Sequence, residues 1–159
     1  MEFLARHFEI RGQIMELRNK SIQHSRKESD QAVTITAKLA QWWNDIEDFT
    51  DSESPIFSLY HQTVLTILHH ESIISLNRPV LAFSTTGSTY DVSLQHCLGS
   101  SRSIISTLHK AMSHALGGGD PHAALPLLWP SFTWAVWMST FILFHAANKK
   151  HVSQSTVSR

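Results

Sequence analysis

LHHESIISLNRPVLA, residues 68–82, decides how the chain is read. Leu68, Ile73, Ile74 and Leu76 give it the apolar character of a core helix, and Pro79 bears on where that helix stops. Proline fixes φ, lacks an N–H and disfavours the α conformation of the preceding residue, so the helix is predicted to end near Arg78. A guanidinium would then sit at a helix C-terminus, where the last carbonyls lack partners and the macrodipole is negative. That placement is worth about 0.3–1 kcal/mol at a partly exposed site. On this reading His70, Asn77, Arg78 and Pro79 form a structural motif, with Arg78 satisfying carbonyls at its own helix end.

Working back from this stretch, the same helix extends to Ser54-Pro55, where Ser54 can cap and Pro55 can take the first helical position. Asp45, Glu47, Asp48, Asp51 and Glu53 cluster just before it, a favourable place for negative charge. Over 55–77 the apolar residues cover most of the circumference, the pattern of a buried central helix. Two amphipathic helices are predicted upstream, from Phe3 to about Gln23 and from about Gln31 to Phe49. The polar run Ser21 to Asp30 is expected to separate them as a loop, with Ser29 or Asp30 as the second N-cap. Gly12 weakens the first of them by about 1 kcal/mol relative to alanine.

Downstream, Ser84 to Ser93 is turn-rich, and Asp91 or Ser93 can cap a fourth helix whose stripe includes Leu94, Cys97, Leu98, Leu108 and Met112. Gly117-Gly118-Gly119-Asp120-Pro121 should break that helix. Ala123 to Ala147 contains no Lys, Arg, Asp or Glu. It is expected to hold a very apolar C-terminal helix, with Pro130 to Ala147 buried beside the third helix at the centre of the fold. The alternative is a single-pass membrane protein anchored by residues 123–147, since about 20 apolar residues suffice to span a bilayer. Pro126, Pro130, Ser131, Thr133, Ser139, Thr140 and His145 argue against that, so membrane association is not the expectation. The fold class is therefore all-α, an irregular bundle of about five helices, with residues 1–150 as one domain and 151–159 as a polar tail.

Three blocks of this sequence carry a resemblance. His69, His70, Ile74, Leu76, Asn77, Arg78, Pro79 and Leu81 lie in the first; Leu94 to Lys110, with Cys97 followed by small residues and Ile104-Ile105, is the second; Leu127 to Ala147 is the third. In order and spacing they resemble the middle homology region, the regulatory part, of fungal zinc binuclear-cluster transcription factors, over roughly Ala37 to Asn148. The resemblance implies a nuclear, effector-responsive module that controls transcription. It also implies that DNA contact and zinc belong to an N-terminal cysteine cluster that these residues lack. No cofactor and no direct nucleic-acid contact are expected of the residues here. The partners implied are the remaining part of the same regulator or a homologous factor, together with a small-molecule effector. A fragment of a longer reading frame is the expectation, with a degenerate paralogue or a truncated, partner-sequestering regulator as the alternatives.

Composition narrows the chemistry. A length of 159 residues with 42% hydrophobic content suffices for one domain with a core, and thirteen basic residues balance thirteen acidic ones, unlike the basic footprint of a nucleic-acid binder. The single cysteine, Cys97, excludes an intrachain disulfide and a cysteine-built zinc site. Met1 to Leu4 does not open a secretory signal. Among eleven histidines, His70-Glu71 begins like a metalloprotease helix, but Ile74 occupies the place of the second histidine. His109 and His114, five apart, fall on different helix faces. Cys97 stands in no nucleophile motif, and Gly117 to Gly119 lacks the Lys and Ser/Thr of a phosphate loop, so no catalysis is expected. Trp42, Trp43, Trp129, Trp134 and Trp137 read first as packing between helices. Trp42, Trp129 and Trp134 are also the candidate walls of an effector pocket, with His70 and Arg78 as its polar groups.

Overall fold

The computed structural model describes residues 2–20, 25–51, 58–84, 86–118 and 130–148. They form five α-helices and no strand: α1 (Glu2–Lys20), α2 (Ser25–Asp51), α3 (Leu59–Phe83), α4 (Ser88–Gly117) and α5 (Pro130–Asn148). The all-α class is as the sequence indicates. Helix α3 packs against each of the other four, while α1 pairs with α2 and α4 with α5. Its two sides face two separate cores, because its apolar residues cover more than one stripe. Leu65 joins Ile10, Ile14, Leu17, Ile35, Leu39, Trp42 and Ile46 of α1 and α2. Ile67 and Ile74 join Tyr90, Leu94, Cys97, Ile104, Phe132, Ala135, Ile142 and their neighbours on α4 and α5.

The contacts also give the helix directions. Arg6 pairs with Asp45 at 2.6 Å and Gln13 receives a hydrogen bond from Lys38, so α1 and α2 are antiparallel. The Trp43 and His69 rings stack, and one small cavity joins Leu39 to Ile73 and Leu76 while another joins Ile46 and Thr50 to Gln62 and Leu65, so α2 and α3 are antiparallel too. Helices α1 and α3 therefore run in the same direction. They meet side by side, with α5 on the far side of α3 from α2, and α1 and α5 do not pack on one another.

Several boundaries differ from expectation. Helix α3 does not stop at Arg78 but continues through Pro79 to Phe83, where the Ser84 N–H donates to the Val80 carbonyl at 2.9 Å. Proline inside a helix costs about 3 kcal/mol through a lost hydrogen bond and a steric clash, and the turn beyond it is held by tertiary packing, since Leu81 lies against the α3–α4–α5 core. The N-cap of α3 is Ser58, whose hydroxyl accepts from the His61 N–H at 3.4 Å; Ser54 and Pro55 lie outside the described residues. Helix α2 begins at Ser25, so residues 25–30 are helical rather than loop. Helix α4 begins at Ser88, earlier than a cap at Asp91 or Ser93 would allow, behind Gly87 with φ of 112°. That left-handed conformation is open to glycine, and it lets the Gly87 carbonyl accept from the Asp91 N–H at 3.0 Å.

Helix α5 is peripheral rather than central. It buries Phe132, Ala135, Ser139, Ile142, Leu143 and Ala146, whereas Trp134, Trp137, Phe141 and Phe144 are each more than half exposed. Those four stand at intervals of three, four and three residues, one continuous aromatic stripe facing out. No helix among the described residues is long and apolar enough to cross a membrane, so the structure does not favour the membrane alternative. Residues 123–129, part of the proposed anchor, and the tail 151–159 lie outside the described residues.

Candidate functional site

Where α1 and α5 leave a gap over α3, the chain forms a cleft of about 270 Å³. Helix α1 contributes Arg11, Met15 and Arg18, helix α3 contributes Glu71, Ser75 and Arg78, and helix α5 contributes Trp134 and Met138, with Ile104 of α4 also in the lining. The charged residues are placed by helical periodicity. Arg11 and Arg18 are seven apart on α1, and Glu71 and Arg78 are seven apart on α3, so each pair lies on one face two turns apart. Because the two helices are parallel, the rungs align. At the first rung Arg11 binds Glu71 through both carboxylate oxygens, at 3.1 and 3.2 Å. At the second rung both helices bring arginine, and no acid among the described residues lines the cleft there.

Glu71 is almost fully buried, while Arg11 keeps 42% of its side chain exposed. The bidentate contact suits planar guanidinium and carboxylate groups and leaves neither Glu71 oxygen unpaired. Arg78 donates to the Met138 Sδ at 3.4 Å and Arg18 to the Met15 Sδ at 3.7 Å, and among the described residues these thioethers are their hydrogen-bond acceptors. Sulfur is a weak acceptor. The cleft thus holds three guanidinium groups and one carboxylate, and that carboxylate is already engaged.

A second constellation begins one turn back along α1, in the same α1–α3 contact, and extends to α2. His7 of α1 is wholly buried, and its Nε2 lies 2.9 Å from the Ser72 Oγ and 3.2 Å from the Leu68 carbonyl oxygen. The carbonyl can only accept, so the hydrogen is assigned to Nε2, leaving Nδ1 as a buried bare lone pair. The His7 ring lies 4.9 Å from Trp42, whose indole N–H donates to the Phe3 carbonyl at 2.8 Å. His69 stacks on Trp43 at 4.4 Å and on His70 at 5.1 Å. Burial lowers the His7 pKa from 6.5 to about 4, opposed by the Leu68 hydrogen bond and aided by the Arg11 charge. Burial likewise lowers His69 to about 4, helped by the His70 and His7 charges. His70 is lowered by burial, and its Nδ1 lies 3.4 Å from the Ser100 Oγ.

The residues singled out in the sequence are thereby dispersed. Trp42 sits in the α1–α2–α3 core, Trp134 lines the arginine cleft, and Trp129 lies outside the described residues. His70 and Arg78 open onto different clefts, His70 onto a shallow groove shared with Arg102 and Lys110 of α4. Arg78 does not cap α3, because the helix runs on past it and its guanidinium reaches across to α5. Asn77 donates to the Ile73 carbonyl one turn back, at 2.9 Å, and so acts within its helix. Pro79 lies within α3 rather than after it. Core packing accounts for Trp42 but not for Trp134 or Trp137, which are exposed. The sequence reading passed over His7, Arg11 and Arg18, and assigned Glu71 no role. The matched seven-residue spacings were available as a signal, but which helix faces which was not.

No group of three or more His, Cys, Asp or Glu side chains among the described residues is arranged to hold a metal ion. Cys97 is buried, and burial pushes its thiol up to about 12 despite the Arg78 charge.

No protein-family model matches this chain, and no solved structure does. Over 158 residues it is 22% identical to the probable transcription factor FUP6 of Fusarium proliferatum (strain ET1). The alignment takes in 92% of this chain and 21% of that protein, so the chain spans only a small part of the curated relative it matches. Its likeness is to part of a fungal protein named as a transcription factor.

Proposed function

We propose that this chain is a regulatory module of a fungal transcription factor, one that senses an effector and adjusts the activity of a larger DNA-binding protein. The observation that carries this reading is the alignment to a fungal transcription factor across 92% of the chain. An all-helical fold with a charged cleft beside an exposed aromatic face is compatible with such a module. In this reading the chain is nuclear, zinc and DNA contact belong to a cysteine cluster outside these residues, and the chain itself performs no catalysis. A buried thiol held protonated is a poor nucleophile, in keeping with that assignment. The partner surface is the remainder of the same regulator or a homologous factor, meeting the Trp134–Trp137–Phe141–Phe144 stripe.

A reporter assay tests it. The 159 residues are inserted between a heterologous DNA-binding domain and an activation domain and expressed in a filamentous fungus, beside a control carrying an unrelated helical domain of equal size. The expected outcome is a change in reporter output of about fivefold or more, the lower end of ordinary regulatory coupling. Output equal to that of the control, at equal protein level, refutes the proposal.

A further inference from the structure

We infer that the cleft between α1, α3 and α5 binds a compact organic oxyanion, a carboxylate or phosphate monoester carried on a small planar apolar body. In naming an effector class the inference rests on the regulatory reading above, but binding to the purified chain is measured apart from it.

The charge arrangement comes first. Arg11 and Glu71 satisfy one another, whereas Arg18 and Arg78, one rung along the parallel helices, bring two like charges to the same cleft, where among the described residues methionine sulfur alone accepts from them. Two guanidinium groups sharing a partly enclosed space repel, and an oxyanion between them removes that repulsion while filling strong acceptor positions. The planar guanidinium fork is matched to the two oxygens of a carboxylate or phosphate. Among the described residues Glu71 accepts from Arg11 at both oxygens and from neither Arg18 nor Arg78.

The rest of the lining defines the body that carries the anion. Trp134 is 55% exposed and borders the cleft from α5, an indole surface on which a flat group can lie. Met15 and Met138 are flexible, polarizable side chains that adapt to an apolar ligand of varied outline. The volume of about 270 Å³ falls just under the common span of small-molecule sites, about 300–1,000 Å³, which limits the ligand to roughly one ring and its anionic group.

The test is calorimetric titration of the full purified chain with phenyl phosphate, benzoate, inorganic phosphate and benzyl alcohol. Saturable one-to-one binding of phenyl phosphate or benzoate is expected, with benzyl alcohol not binding; which of the two anions binds tighter distinguishes a phosphate from a carboxylate ligand. Arg18→Gln and Arg78→Gln should each weaken binding about tenfold, the loss of one charge-assisted contact. Trp134→Ala should erase the advantage of phenyl phosphate over inorganic phosphate. Arg102→Gln, on the shallow α4 groove, should change nothing. The inference is overturned if no anion saturates the wild-type chain, if benzyl alcohol binds equally, or if Arg102→Gln weakens binding as much as the cleft substitutions do. Both cleft arginines lie outside the two cores, and helical circular dichroism confirms that each variant folds. Anion binding with a silent reporter would retain the site and reject the regulatory reading; a responsive reporter with no anion binding would do the reverse.

Discussion

Acidification should destabilise this protein through His7. The ring is wholly buried between α1 and α3 as a neutral imidazole, and protonation would place both a charge and an unpartnered Nδ1–H in the core beside Arg11. With 6.5 as the ordinary pKa and about 4 in the folded chain, the unfolded chain binds the proton more readily. Stability is therefore fully present above pH 6.5 and is lost as pH falls towards 4. At about 1.4 kcal/mol per pH unit the full effect approaches about 3 kcal/mol, of which about 2 kcal/mol is lost between pH 7 and pH 5. His69 acts in the same direction, but its pKa is lowered partly by the His7 charge, so the two contributions do not simply add. Urea unfolding at pH 5, 6 and 7, compared between the wild type and His7→Leu, isolates the effect from titrating carboxylates common to both. The variant is expected to be less stable at pH 7, having lost the Ser72 and Leu68 contacts, yet its loss between pH 7 and pH 5 should be smaller by about 2 kcal/mol. Equal losses in the two proteins would refute the argument.

Two further substitutions test the helices. Arg78→Ala should alter the unfolding free energy by less than about 0.5 kcal/mol, since Arg78 is exposed and its acceptor is a thioether rather than helix-end carbonyls; a large fall in the thermal midpoint would restore the capping role expected from the sequence. Gly99→Ala lies within α4, where an added Cβ meets nothing within 4 Å, and should stabilise the protein by about 0.5–1 kcal/mol in denaturant unfolding; destabilisation would show that the position is not an ordinary helical one.

The physical reasons for these outcomes also explain what could be read early. Apolar periodicity is a local property, so the helical class and the central place of α3 followed from residues such as Leu65, Ile67 and Ile74 alone. Pro79 misled because its backbone cost is local while the compensating contact, Leu81 on the α4–α5 core, is not. The start of α2 at Ser25 shows the same limit, since a polar run does not by itself break a helix. The uncharged run of α5 suggested a buried helix, yet Trp134, Trp137, Phe141 and Phe144 share one face, and a face is buried only where another element covers it.

Apolar pattern by itself determined an all-α chain of about five helices with α3 at its centre. Tertiary structure alone decided which side chains meet. The Arg11–Glu71 pair spans 60 positions and His7–Ser72 spans 65, distances over which sequence spacing carries no register. It is the parallel alignment of α1 and α3, which share the antiparallel neighbour α2, that brings Arg18 and Arg78 to one cleft with no acid among the described residues bonded to either.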